Sequence, residues 1–169
     1  GERRVAWWSM GTALLAELTR DGGGSGALVR ARELALAGAA AYPDSVGAQR
    51  CRAIAGEIEQ PDYSIAVMAR DGAGRRSLAV THKNLARLEL RAFAVDLVER
   101  VETAKDYNLL PAWREFETIV RDQAPVASWT VELPATPDFE SHRTFVTPPL
   151  TAPGLYVIAA SGGSGLARG

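Results

Sequence analysis

The sequence predicts an α+β chain: an all-helical segment of about three helices over residues 1–60, followed by an antiparallel β-sandwich over 61–161 that carries a helical insertion at 95–123. Three observations predict it. Glycine and proline punctuate the first sixty residues into three runs with helical periodicity. At Pro61 the apolar period changes from 3.6 to 2. Beyond that point, six or seven short alternating segments are separated by turn signals, the pattern of a two-sheet antiparallel fold.

Residues 3 to 20 place Val5, Trp8, Leu15 and Leu18 on one helical face with no proline among them. The glycines of Asp21 to Gly26 stop that helix, and Ser25 is a candidate cap for the next. A second helix follows over about 27–41 with Leu28, Ala31, Ala35, Ala39 and Tyr42 in a narrow stripe, and so many alanines imply close helix packing. Pro43 breaks it, Asp44 or Ser45 can accept the free N–H groups of a new start, and a third helix spans roughly 45–59. Its apolar side is Cys51, Ile54, Ala55 and Ile58. Two-helix units of this kind are similar to tetratricopeptide repeats, but no second copy occurs at a fixed period.

In the second part, Tyr63, Ile65 and Val67 alternate with polar or small positions, Asp71 to Gly74 reverses the chain, and Leu78 with Val80 returns, which describes a hairpin. Leu88, Leu90, Ala92 and Ala94 alternate with Arg87, Glu89 and Arg91, a half-buried strand with a charged face. Over 95–123 the pattern turns helical, with Leu97, Val98 and Val101 on one short face, Trp113, Phe116, Ile119 and Val120 on another, and a break near Asn108 to Pro111. Strands resume at Ser128 to Leu133, with Trp129, Val131 and Leu133 pointing one way, then at Thr144 to Val146 and Leu155 to Ala160. The last is apolar on both faces and reads as a central strand. Residues 162–169 read as a flexible tail, and Gly1 and that glycine-rich close read as the ends of a piece cut from a longer chain.

A formal net charge of -1 and a pI near 6.2 give no basic footprint for nucleic acid or an anionic membrane, so neither is expected as a partner. No apolar run approaches the roughly 18–20 residues that span a bilayer. The single cysteine excludes an internal disulfide, and with His82 and His142 far apart in sequence no metal site is expected. Cys51 is the one candidate thiol nucleophile, but its place on the apolar helix stripe predicts a buried, unreactive core residue. Glu57 with Glu59 and Glu99 with Glu102 are carboxylate pairs of the sort found on ordinary helix surfaces. His142 stands near Asp138, which could orient it, with no nucleophile beside it. Gly72 and Gly74, and Gly162 to Gly165, do not open a helix after a strand, as a phosphate loop must. Of the four tryptophans at least three are expected in cores, Trp129 and Trp113 among them, while Trp7 or Trp8 is a candidate docking contact. No catalytic, cofactor-binding or metal-binding residue is assigned, and no cofactor is expected.

Taken in order, the local motifs resemble the beginning of large bacterial alpha-2-macroglobulin family proteins. The matching pieces are Ala41-Tyr-Pro-Asp-Ser45 with Gly47-Ala-Gln-Arg-Cys51, the helix ending Glu57-Ile-Glu-Gln60, and the strand Leu88-Glu-Leu-Arg-Ala-Phe93. They continue with Trp129-Thr-Val-Glu-Leu-Pro134, Asp138-Phe139 followed by His142, and Pro149-Leu150 leading to Pro153-Gly-Leu-Tyr-Val157. The resemblance implies a macroglobulin-like domain of immunoglobulin-like sandwich type, within a secreted protein that traps or inhibits proteases in the periplasm or at the cell surface. Its partners would be neighbouring domains of the same chain and, for the whole protein, proteases. Reactive members of that family use a Cys-Gly-Glu-Gln thioester. Glu57-Ile-Glu-Gln60 has no cysteine at its head, so no thioester function is carried over to this sequence. The expected role is architectural and non-enzymatic, with helices that either pack on the sandwich or continue an upstream helical array. The alternative is an extracellular adaptor in which the 95–123 insertion grips a protein or peptide.

Overall fold

The computed structural model describes residues 2–68, 76–103, 109–162 and 165–168, for 2–6 and 165–168 by backbone alone. Among the described residues it is α+β, with five helices and two small antiparallel sheets. The chain divides into two compact units, one formed by Gly1–Asp62 with Ala135–His142, the other by Tyr63–Pro134 with Arg143–Gly169.

The first unit contains α1 (Glu2–Asp21), α2 (Ala27–Ala41) and α3 (Val46–Glu59), each packed on the other two. The spacing of small residues explains how closely they pack. Ser9, Ala13 and Ala16 of α1, Ala31, Ala35 and Gly38 of α2, and Gly47, Ala48, Cys51, Ile54, Ala55 and Ile58 of α3 are buried. Where the helices touch there is no room for a larger side chain. A methyl group on Gly38 would lie 2.7 Å from Cys51 Sγ, and one on Gly47 would run into the backbone of Ser9 and Met10. The face of α1 that the sequence marked by Trp8, Leu15 and Leu18 is therefore turned outward, because close approach selects the small-residue side.

Capping also differs in part from expectation. Gly26, not Ser25, precedes α2, in a left-handed conformation (φ 73°) and without a side-chain cap. Ser45 caps α3 as its sequence position suggests, its hydroxyl accepting the Ala48 N–H at 3.1 Å.

The second unit is built from β1 (Asp62–Val67), β2 (Leu78–Lys83), β3 (Arg87–Val95), α4 (Leu97–Thr103), α5 (Trp113–Asp122), β4 (Ala127–Glu132), β5 (His142–Val146), β6 (Leu155–Gly162) and β7 (Gly165–Arg168). One sheet has the order β1-β2-β5, the other β4-β3-β6-β7. The expected turn at Asp71 to Gly74, and Asn108 in the insertion break, lie outside the described residues.

The two sheets share one apolar core. Ile65, Leu78 and Val80 from the first pack with Leu88, Leu90, Ala92, Ile158 and Ala160 from the second. The register sets Leu90 opposite Trp129 on one side and opposite Ala160 on the other. Period-2 alternation then sends Phe93, Val157 and Ala159 to the opposite face of the same sheet. There α5 covers them with buried Phe116, backed by Trp113, Ile119 and Val120. This explains why β6 is apolar on both faces: it lies inside its sheet, between β3 and β7, with a core on either side.

Residues 165–168 pair antiparallel with β6, Gly162 facing Gly165, so these positions form a strand where the sequence suggested a flexible tail. Gly162 itself is a packing position. A methyl group there would lie 2.8 Å from Leu85 Cδ2 and 3.0 Å from Tyr63 Cε1, and the Gly162 N–H donates to the Tyr63 hydroxyl at 3.0 Å.

Candidate functional site

Cys51, Glu57, Glu59 and the two histidines, singled out for chemistry, each have a structural engagement. Cys51 is fully buried on α3, its thiol directed at the Ser9 carbonyl at 3.6 Å, and burial pushes its pKa above the ordinary thiol value. Glu57 accepts from Arg20 at 2.8 Å and Glu59 from Arg32 at 2.5 Å, so this carboxylate pair is divided between two ion pairs to different helices. Glu99 and Glu102 stand exposed on α4.

The two histidines belong to different units. His82 is buried on β2, its Nε2 3.2 Å from the Thr144 hydroxyl. His142 opens β5 and its Nε2 lies 2.9 and 2.8 Å from the two carboxylate oxygens of Asp138. That carboxyl is held below its usual pKa, first by the Glu140 N–H that donates to it and then by His142. Among the described residues, no group of three or more His, Cys, Asp or Glu could hold a metal ion.

Between Asp138 and His142 lies a feature that periodicity could not reveal. Phe139 adopts φ 60°, a conformation rare for a bulky side chain, and packs against the apolar core of the three helices. The Arg32 guanidinium sits 5.2 Å from its ring centroid. The whole segment Ala135–His142 accordingly folds with the helices, although its neighbours in sequence are strands. The only sequence signal was the Asp-Phe pair with a nearby histidine, and no local pattern connects it to a helix eighty or more residues earlier.

Among the described residues of the strand unit, two concavities stand out. The larger, about 480 Å³, is lined by Asp96, Glu99, Arg100, Glu115 and Thr118. Its charges are largely committed. Arg100 pairs with Glu115 at 3.0 Å and donates to the Leu109 carbonyl, Glu115 also accepts the Ala112 N–H, and Asp96 caps α4 through the N–H groups of Val98 and Glu99. The smaller, about 260 Å³, is a mostly apolar groove bordered by Val67, Met68, Leu78, Pro148, Leu155 and Tyr156.

Exposed apolar side chains are the more conspicuous feature. On α4, Leu97, Val98 and Val101 are exposed and no residue of the helix is buried. On α1, Trp7 and Trp8 are both exposed, so the expectation that at least three of the four tryptophans lie in cores is corrected: only Trp113 and Trp129 pack against one. Trp129 is half-buried against the inter-sheet core.

No protein-family model, curated protein or solved structure matches the chain. Among the described residues no helix is long and apolar enough to cross a membrane.

Proposed function

We infer that this chain is an architectural part of a larger secreted protein of the alpha-2-macroglobulin type. In this reading its strand unit is a macroglobulin-like domain of immunoglobulin-like sandwich type, its three helices a scaffold joined to it in the chain, and protease trapping in the periplasm or at the cell surface a property of the whole protein. The observation that carries the reading is the pair of antiparallel sheets closed over one apolar core, with β3 and β4 joined through α4 and α5. The ordered motifs from Ala41 to Val157 support it. The commitment of Cys51, Glu57, Glu59 and His142 to burial or ion pairs supports a role without chemistry of its own.

The exposed Leu97, Val98 and Val101 favour a second reading, a protein-binding module that uses α4 as its contact. One experiment addresses the architectural reading directly. The chain is mixed in equimolar amount with serine, cysteine and metalloproteases, then followed on a denaturing gel and by hydrolysis of a small peptide substrate. The expected result is neither a covalent adduct nor loss of peptidase activity, because no Cys-Gly-Glu-Gln is present to form an activated acyl group. A band of protease plus chain that survives denaturation, or stoichiometric inhibition, overturns the assignment.

A further inference from the structure

From Trp7 to Leu18 the outward face of α1 is apolar without interruption. Between positions 7 and 18 the exposed residues are Trp7, Trp8, Gly11, Leu14, Leu15 and Leu18, with no charged or polar side chain among them. At about 100° per residue these six fall within roughly 120° of the helix circumference, a single stripe three turns long. The exposures are large: 75% for Trp7, 63% for Trp8 and 71% for Leu18. A water-exposed helix ordinarily shows its charged residues here. Between Trp7 and Arg20 the charged side chains stand elsewhere, Glu17 bound to Arg50 and Arg20 to Glu57.

We propose that this stripe is a homodimer interface in which α1 packs antiparallel on α1 of a second copy of the chain. From Trp7 to Leu15 the order of residues along the stripe is self-complementary, as a two-fold interface requires, and Leu18 lies opposite Arg4 of the other copy. With Gly11 on the dyad, Trp7 of one copy faces Leu15 of the other, and Trp8 faces Leu14. Gly11 has nothing within 4 Å of the position a side chain would occupy, so two backbones can approach at the crossing point while the indoles spread over the partner's leucines.

The area is also sufficient. A tryptophan offers about 150–250 Å² for burial. Two indoles and three leucines at these exposures present on the order of 600 Å² per copy, and two copies about 1,200 Å², which is the lower bound of a stable specific interface. Each indole would be the kind of rigid aromatic anchor that dominates such contacts.

The test is the mass of the intact chain in solution at tens of micromolar, by light scattering after size exclusion. The expected mass is twice 18.1 kDa. Leu15→Glu should return it to the monomer with an unchanged helical circular-dichroism spectrum, whereas Leu36→Glu, at an exposed leucine of α2, should leave the dimer intact. Mild oxidation of Gly11→Cys should give a disulfide-linked dimer, because the dyad brings the two positions together. Gly56→Cys, equally open but on α3, should not, and Cys51 is too buried to compete. A monomeric wild-type chain, a dimer indifferent to Leu15→Glu, or Gly11→Cys that cross-links no faster than Gly56→Cys would each overturn the proposal.

Discussion

Single glycines decide how near the helices can come. Gly47 lies against the backbone of Ser9 and Met10, and backbone cannot move aside as a flexible side chain can. Gly47→Ala should therefore cost about 1–3 kcal/mol, as overpacking does, despite alanine's better helix propensity. Gly56, with open space around it on the same helix, is the control, and Gly56→Ala should gain about 0.5–1 kcal/mol. Thermal denaturation followed by circular dichroism separates the two. Equal effects would mean that helix propensity, not the close contact, governs both positions. The same crowding explains Cys51. A methyl group on Gly38 would overlap its sulfur, so the thiol fills the space in the core that the glycine leaves and has no path for a reagent.

Among the elements, α5 covers the outer face of the four-stranded sheet. Its Phe116 is buried, stacked on Trp113 at 5.0 Å between ring centroids, over Phe93, Val157 and Ala159. Phe116→Ala should cost about 3–5 kcal/mol, the usual range for a buried large aromatic. Val98→Ser on exposed α4 should leave the melting temperature nearly unchanged. A small effect of Phe116→Ala would mean that α5 does not seal that face of the sheet. The α5 face was readable in the sequence because Trp113, Phe116, Ile119 and Val120 recur at helical spacing, and the Trp129, Val131, Leu133 alternation was readable for the corresponding reason in a strand. The stripe Cys51, Ile54, Ala55, Ile58 on α3 was equally plain, and all four are buried. The packing side of α1 was not. Periodicity locates a face by its large apolar residues, whereas helices that touch closely do so through Ser9, Ala13 and Ala16. The docking of Phe139 was not readable either, since it depends on a non-local contact made by an irregular segment. The order of motifs carries no information about which unit such a segment joins.

Across the whole molecule, the helical unit is completed by eight residues that follow β4 in the chain. Holding Phe139 at φ 60° costs about 1–3 kcal/mol for a non-glycine residue. The strain persists because the ring gains burial against the helical core and the face of Arg32. Two substitutions separate these terms. Phe139→Ala loses the ring and keeps the strain, while Phe139→Gly loses the ring and relieves the strain, since glycine adopts this conformation freely. Both should destabilise the helices, and Gly should do so by about 1 kcal/mol less than Ala, the reverse of their usual order within a helix. Hydrogen exchange reads the effect element by element. Amides of α2 and α3 should exchange faster in both variants, whereas those of β3 and β6, which belong to the other unit, should change little. The same reasoning expects residues 1–62 expressed alone to exchange faster in α2 and α3 than the full chain does, because the fragment lacks the ring that completes its core. Equal protection of the fragment and the full chain, or alanine outperforming glycine at position 139, would show that the helices are complete without this segment.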